Sequence, residues 1–460
     1  MQIASLFRKV LTEDEIISDE ARIKAHTVDW RGRYTSDCGC VLVPRDISKL
    51  QEVLRIAHAE GIAVTPQGGN TSLCGGSIPS VPNSVILLLE RIASVRSFSA
   101  LDQTVTVEAG MVLSKLQDYV AAQGFYFPLS LASEASCQIG GNIACNAGGI
   151  HVLRYGTMRD LVVGLEVVLP NGEIISHLAS LHKNTTGFES KHLWIGSEGT
   201  LGVITAATLK VFPPAREKIT VLLTCKDRVQ VLTLLRALRQ EYVTELTSFE
   251  YIQATLFNWS ETFSGIFFRL EGPEIVLCEL SGSNPDFSPI EKFYEILVSL
   301  GIFEAIVARS PREARQMWTV RENISAAQKF CWGVTLKHDI AVPIEKLDSF
   351  ITNSQKHIMQ CFPDAKILLF GHFGDGSLHY DVALARDHSA GVYRFEAEIN
   401  QLVYEEVLNA SGTIAAEHGI GQLKVPWLSW IKTPTEIKLM KDFKARLDPH
   451  HIMNPGKLLG

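Results

Sequence analysis

Apolar residues in the first part of the chain change period several times. Leu50, Val53, Leu54 and Ala57 fall on one helical face, and Ser48-Lys49-Leu50-Gln51 ahead of them resembles a capping box. Short apolar runs follow at Gly61-Ile62-Ala63-Val64-Thr65, Val85 to Leu89, Leu161 to Leu169 and Gly202 to Phe212, while Thr104-Val105-Thr106-Val107 alternates; these predict strands. Pro170-Asn171-Gly172 predicts a hairpin turn, and Pro213-Pro214 stops the last run and marks a domain boundary. Beyond it, a strand around Val221-Leu222-Leu223 precedes helical patterns over 228–241, 289–300, 311–330 and 344–359. Strands over 274–280, 366–370 and 378–384 are interleaved with these helices, and a helix over 392–409 follows. The pattern predicts an α+β protein whose second part is an antiparallel sheet with helices on one face.

A chain of 460 residues is too long for a single core, and the boundaries predict parts over 1–214, 215–410 and 411–460. Its 46% hydrophobic and 20% charged residues suit a globular protein, and the net charge of -7 argues against a nucleic-acid partner. No apolar run is long enough to span a membrane. Met1 to Leu11 lacks a sustained hydrophobic region, and Glu13, Asp14 and Glu15 follow at once, so neither a secretory nor a transit segment is expected. Nine cysteines without framework spacing fit a reducing compartment, hence a cytoplasmic protein, soluble or peripheral at a membrane. Cys38-Gly39-Cys40 reads as two buried or incidental thiols, because no second pair completes a metal site.

Two glycine-rich stretches carry the first chemical signal. One is Pro66-Gln67-Gly68-Gly69-Asn70-Thr71-Ser72 with Gly75-Gly76-Ser77; the other runs from Ser133 through Ser136, Gly140, Gly141 and Asn142 to Asn146 and Gly149. Glycine admits positive φ and close backbone approach, and consecutive N–H groups then cradle phosphate oxygens. Two such loops suggest a diphosphate with an organic group at each end. A second signal lies in Gly371-His372-Phe373-Gly374-Asp375-Gly376-Ser377-Leu378-His379-Tyr380-Asp381, where a glycine turn brings two imidazoles together, and in Ala416-Glu417-His418-Gly419. His372, His379 and Glu417 make an open three-ligand set for zinc or a similar divalent ion. Two hydrogen-bonded histidines beside a turn fit the spacing equally well. His418 diverges from Glu417 and is a candidate general base. Arg321 offers a fork for a carboxylate and Lys337 lies downstream; a surface cation paired with Glu322 or Glu313 is the plainer reading of Arg321.

With Arg154-Tyr155-Gly156, Gly196-Ser197-Glu198-Gly199-Thr200-Leu201-Gly202 and Asn454-Pro455-Gly456-Lys457, these motifs resemble the vanillyl-alcohol oxidase/p-cresol methylhydroxylase type of FAD flavoproteins. Within that type they are similar to the D-2-hydroxyacid dehydrogenases. The resemblance covers nearly the whole chain. It implies a two-part FAD-binding domain, a substrate domain with an antiparallel sheet covered by helices, and a carboxy-terminal segment returning to the FAD site. It implies that Gly68 to Ser72, preceded by Pro66 and Gln67, and Ser136 to Gly141, preceded by Ser133, wrap the FAD pyrophosphate. Asn142, Asn146, Gly149, Gly156, Glu198, Gly199, Gly202 and Ile204 would line the cofactor, with Asn454 near the flavin ring. Asn70 stands about where some relatives tether flavin through histidine, so non-covalent FAD is implied.

The same resemblance assigns zinc to the positions of His372, His379 and Glu417, and the base to His418. It assigns substrate binding to Arg321, Lys337, His418 and Ser325, the last in place of a threonine. Asp381 stands where an asparagine is usual, close to substrate, and this departure bears on which acid is taken. The implied reaction is oxidation of a D-2-hydroxyacid, D-2-hydroxyglutarate first and D-lactate or glycolate as the alternative. Electrons would leave to an electron-transfer flavoprotein, a quinone or a membrane chain, and a homodimer is implied. Two rivals from other classes are a zinc hydrolase whose glycine loops are merely turns, and a non-catalytic flavin-binding protein.

Overall fold

The computed structural model describes residues 3–181, 183–283 and 288–460, so Met1 and Gln2 of the amino-terminal stretch lie outside the described residues. Two compact units divide the chain. The first holds the described residues of Met1–Gly149, Gly156–Pro213 and Glu417–Gly460; the second holds those of Ile150–Tyr155 and Pro214–Ala416. No helix among the described residues is long and apolar enough to cross a membrane.

In the first unit, β1 (Ile16–Ile17), β2 (Cys40–Leu42), β3 (Val64–Gln67) and β4 (Val85–Leu88) form a sheet in the order β1-β2-β4-β3, parallel except for the β1 pairing. Helix α1 (Ile47–Glu60) buries the predicted stripe Leu50, Val53, Leu54 and Ala57. Its cap is Asp46, whose carboxylate accepts the Lys49 N–H (2.9 Å), so Ser48 lies inside the helix and the expected box there is not used. A carboxylate at a helix start satisfies an orphan donor and meets the positive end of the helix dipole. The carboxy-terminal chain runs beside β3: Val64 donates to the Ile452 carbonyl (2.7 Å) and Asn454 to the Val64 carbonyl (2.8 Å). Helices α2 (Leu113–Ala122) and α3 (Ile139–Ala144) follow in the same unit.

A second sheet of this unit is antiparallel, in the order β5-β6-β9-β7-β8, from β5 (Val95–Ser99), β6 (Thr104–Glu108), β7 (Val162–Val168), β8 (Ile174–His177) and β9 (Val203–Lys210). The predicted turn joins β7 to β8, with Gly172 at φ 81°. One polar knot crosses the sheet: the Glu166 carboxylate accepts from Arg96 Nη2 (3.0 Å), Ser176 Oγ (3.1 Å) and Thr205 Oγ1 (3.0 Å).

The second unit is built on β10 (Glu217–Cys225), β11 (Leu246–Gln253), β12 (Glu274–Gly282), β13 (Ala305–Val307), β14 (Leu336–Ala341), β15 (Ala365–Gly371) and β16 (Ser377–Leu384). All pairings are antiparallel, in the order β13-β10-β12-β11-β15-β16-β14. Its helices are α4 (Arg228–Glu241), α5 (Ala254–Ser264), α6 (Ile290–Ser299), α7 (Pro311–Glu322), α8 (Ile324–Cys331), α9 (Leu347–Cys361) and α10 (Glu396–Asn409). Helices cover both faces, not one. Phe257, Val320 and Ile324 from α5, α7 and α8 join a core with Leu222, Ile252, Leu277 and Phe370. On the opposite face Phe350 of α9 packs on Tyr380 (ring centroids 5.6 Å), and His338 lies 2.9 Å from both the Tyr380 carbonyl and Asn400 Oδ1 of α10. The reason is visible in β12, where every residue is buried: a strand without a polar face has to be covered twice.

The expected helix over 311–330 is divided at Asn323 into α7 and α8. Strands β11 and β14 and helix α5 were not anticipated, nor was α11 (Pro434–Leu447), although Thr433, Pro434 and Glu436 give it a full capping box with proline at the first turn.

Burial works against the Glu166 charge, but the Arg96 guanidinium and two hydroxyls outweigh it and hold the carboxyl below its ordinary 4.5. Its stabilising contribution is therefore complete above pH 4.5 and is lost as pH falls through the lower, folded value. Glu166→Gln is expected to cost about 1–3 kcal/mol at pH 7. In paired thermal melts the gap to wild type should close below pH 4.5; a gap independent of pH would refute the charge assignment.

Candidate active site

The two glycine loops meet inside the first unit. A Cβ on Gly69 would sit 2.0 Å from the Ser136 carbonyl oxygen, and one on Gly68 3.5 Å from the Gln138 side chain. Asn70 takes φ 53°, and its side chain is engaged at both ends: Nδ2 donates to the Val28 carbonyl (2.9 Å) and Oδ1 accepts from Ser77 Oγ (2.7 Å). Gln67, buried at the end of β3, donates to the His26 and Ser77 carbonyls (both 2.9 Å). Ser72 Oγ accepts the Gly76 N–H (3.0 Å). The backbone N–H groups of Gly69, Asn70, Thr71 and Ser72, in contrast, donate to no group among the described residues.

Several positions expected along the cofactor pack closely against other parts of the protein. A Cβ on Gly149 would meet the Ser130 carbonyl at 2.0 Å, on Gly140 the Ala109 Cβ at 2.8 Å, and on Gly156 the Asp160 carboxylate at 2.3 Å. Gly202 (φ 147°) lies against the Val168 carbonyl, Gly199 against Pro66, and Ile204 is a buried residue of β9. Asn146 accepts the Arg159 N–H (2.9 Å), Asn142 Nδ2 lies 3.6 Å from Cys137 Sγ, and the Ser133 carbonyl accepts the Ser136 N–H (2.9 Å). Gly141 alone of this stretch has nothing within 4 Å of where a Cβ would lie.

Glu198 is a turn anchor. Its carboxylate accepts the N–H groups of Ile420 (2.8 Å) and Gly421 (2.7 Å), which fixes the chain just after Glu417 and His418. Burial raises its pKa, only partly offset by those N–H groups and by Lys424 and Lys457. Asn454 (φ 41°) donates to the Gly76 (3.0 Å) and Glu198 (2.8 Å) carbonyls, while its buried Oδ1 has no partner among the described residues. The turn that presents it is held by Lys444, whose Nζ donates to the Thr200 and Met453 carbonyls (both 2.7 Å) and to Asp448.

The second signal lies on one face of the second unit's sheet. The register pairs Asp339 with His379 and Lys337 with Asp381 across β14 and β16, and alternation puts all four on the same side. A carboxylate oxygen of Asp339 and a ring nitrogen of His379 lie within 4.8 Å. His372 follows β15, its ring 5.8 Å from that of His379. The sequence reading missed Glu250 of β11, fully buried, which touches two of the expected residues. His372 Nδ1 lies 2.6 Å from Glu250 Oε1, and Arg321 of α7 donates through Nε to Oε2 (2.7 Å), its Nη2 also 2.7 Å from Oε2. Burial alone would raise the Glu250 pKa; the His372 and Arg321 partners reverse this and bring it to about 2. An ionised carboxylate only accepts, so the Nδ1 that faces it carries a proton, which leaves Nε2 on the far side of the ring. Lys337 Nζ is 2.9 Å from Asp381 Oδ2. Ser325 is exposed on α8. Glu417 follows directly on Ala416, whose N–H donates to the Asp339 carbonyl (3.4 Å).

A lone charge inside the apolar run Phe249-Glu250-Tyr251, and the alternation of Leu336, His338 and Ile340 with Lys337 and Asp339, were the available signals for the missed residues. Cys38 and Cys40 are unbridged thiols pushed up to about 11 and 12 by burial.

Residues 39–177 match the FAD binding domain family, and residues 214–458 match the C-terminal domain of FAD linked oxidases. The mitochondrial D-2-hydroxyglutarate dehydrogenase of Bos taurus is 36% identical over 96% of this chain and 81% of its own. A mitochondrial protein of Schizosaccharomyces pombe with a provisional D-lactate dehydrogenase name is 32% identical, over 99% and 90%. In fold, the chain matches substrate-bound p-cresol methylhydroxylase with a TM-score of 0.76 at 14% identity, covering 99% of this chain and 96% of that one. The chain belongs to the FAD-linked oxidase family. It is a FAD-linked oxidoreductase, and the non-flavin hydrolase reading falls.

The first unit of this FAD-linked oxidase fits the cofactor. The unpaired N–H groups of residues 69–72 supply donors for phosphate oxygens, Gly141 leaves its side open, and the orphaned Asn454 Oδ1 is an acceptor awaiting an N–H. Gly69→Ala has to push the two loops apart, because the obstructing atom is backbone. That variant should purify with little flavin and a lowered melting temperature. Gly141→Ala should melt close to wild type yet hold FAD at least about tenfold more weakly, a loss of about 1.4 kcal/mol. Full flavin occupancy in both, read from the visible absorbance, would contradict this assignment.

Proposed function

We propose that this FAD-linked oxidase converts a D-2-hydroxyacid to its 2-oxoacid with the help of a divalent metal ion. The observation that carries the metal reading is the Glu250–His372 contact beside the Asp339–His379 pair. A histidine whose Nδ1–H is held by a carboxylate presents Nε2 in a fixed direction, as metal-ligating histidines do. His372, His379 and Glu417 are the proposed ligands, and Asp339 is a further oxygen donor of the kind such ions take. A divalent ion held there supplies a Lewis acid that lowers the hydroxyl pKa. Bound FAD, non-covalent and cradled by the two glycine loops, supplies the acceptor for the C2 hydride.

The chain's own residues do the rest. The His418 imidazole takes the proton from the substrate's C2 hydroxyl oxygen, and the turn that Glu198 holds directly after it fixes its backbone. Loss of that proton and of the C2 hydride leaves the carbonyl of the 2-oxoacid. An electron-transfer flavoprotein or quinone then reoxidises the enzyme, which works as a dimer.

The relatives' names favour D-2-hydroxyglutarate. A smaller acid such as D-lactate or glycolate is the second reading, favoured by one contact: Lys337, the cation expected to meet a second carboxylate, is paired with Asp381.

Anaerobic mixing of the yellow protein with a panel of D- and L-2-hydroxyacids should bleach the flavin with D-acids. If none of them does so, even with zinc restored, the protein is a non-catalytic flavin binder. His418→Ala is expected to keep its flavin and reduce it about 10²- to 10⁴-fold more slowly; unchanged turnover would reject His418 as the base. Chelation should abolish reduction without releasing flavin, and metal-free protein at full activity would end the metal role.

A further inference from the structure

Lys337 and Asp381 face each other across the edge of the second unit's sheet. The Lys337 ammonium lies 2.9 Å from Asp381 Oδ2; the lysine side chain is 32% exposed and that of Asp381 2%. The carboxylate is therefore built into the sheet, while the ammonium reaches it from the wetter side. Both residues stand two positions along their strands from Asp339 and His379, on the same face, a step of about 6.6 Å. A hydroxyacid held at His379 by its C1–C2 end can reach this pair with its far end.

The other cation expected at the far end is also occupied. Arg321 is buried, and its Nε–Nη2 edge lies against Glu250 with both distances at 2.7 Å. Lys366, four positions before Phe370 on β15, lies over the Trp332 ring (4.8 Å). A second substrate carboxylate would have to share Lys337 with Asp381 at close range, or displace Asp381 and leave its buried carboxylate unpaired. Like charges so placed repel, and a buried charge stripped of its partner is costly. An uncharged far end meets neither penalty.

We infer that Asp381 is a specificity-determining residue: by neutralising Lys337 it makes the site one for D-2-hydroxyacids with a single carboxylate. This rests on the hydroxyacid-oxidase reading above and decides between its two substrates.

Dye-linked turnover of the FAD- and metal-loaded enzyme should give a kcat/KM for D-lactate about 10- to 100-fold above that for D-2-hydroxyglutarate. Asp381→Asn, which keeps the shape and removes the charge, should move that ratio about 10- to 100-fold towards the dicarboxylate, mainly through KM. Dissociation constants for pyruvate and 2-oxoglutarate, read from perturbation of the flavin spectrum, should shift the same way. A wild-type enzyme that prefers D-2-hydroxyglutarate overturns the inference, as does an Asp381→Asn enzyme with unchanged ratios. If that variant does not accumulate as yellow protein, Asp381→Ser and the wild-type ratio decide. If no hydroxyacid reduces the wild-type flavin, the parent reading fails; the pyruvate to 2-oxoglutarate binding ratio then still upholds or rejects the charge selectivity.

Discussion

The second unit depends on one carboxylate that water never reaches. Glu250 sits in the middle of a sheet covered on both faces, and a bare charge there would be expensive. It is tolerated because Arg321 and His372 arrive from different elements, a helix and the turn after a strand, and complete its hydrogen bonds. The consequence runs in both directions. Arg321 cannot swing outward without abandoning a buried anion, and His372 has its ring orientation set for it. A residue type that suggests a substrate clamp is here bonded to a buried carboxylate of the protein itself. Breaking such a triad by removing one member generally costs about 3–5 kcal/mol, which makes its geometry stiff.

The first unit solves a different problem with a similar device. A dinucleotide cofactor needs donors that do not move, and the loop over 69–72 offers backbone N–H groups that donate to nothing among the described residues. Backbone can serve only if the turns are rigid, and buried side chains supply the rigidity. Glu198 fixes the Gly419–Gly421 turn, Asn70 ties its own loop to the Val28 carbonyl, and the Lys444–Asp448 pair shapes the stretch that ends at Asn454. Several residues that match the family's cofactor motifs also hold the protein's own backbone. Gly149 and Gly202 are glycine because another segment's carbonyl lies where their Cβ would be.

The charge logic of the sheet face follows from strand register. A one-residue slip between β14 and β16 would send Lys337 and Asp339 to opposite partners, so the pairing that neutralises Lys337 and the pairing that sets Asp339 beside His379 are one structural fact. The proposed substrate selectivity and the proposed metal-ligand geometry are coupled through it.

Much of this was legible in residue order. The stripe of α1, the β7–β8 turn and the runs of β4, β9, β12 and β16 are local periodicities, and positive-φ glycines are local needs. So were the residue types of both motif sets, which is why the FAD-binding family could be recognised. Other features could not be read that way. Glu250 and His372 are 122 positions apart, and nothing near either names the other. That helices cover both sheet faces, that Arg321 is a tether, and that Lys337 meets Asp381 all depend on which strands lie side by side. By itself the sequence determined which segments fold as helix or strand and which chemistries are present, because backbone preference and side-chain type are properties of neighbours in the chain. Only the tertiary structure decided which charges cancel and which hydrogen bonds are already made, because those are set by neighbours in space.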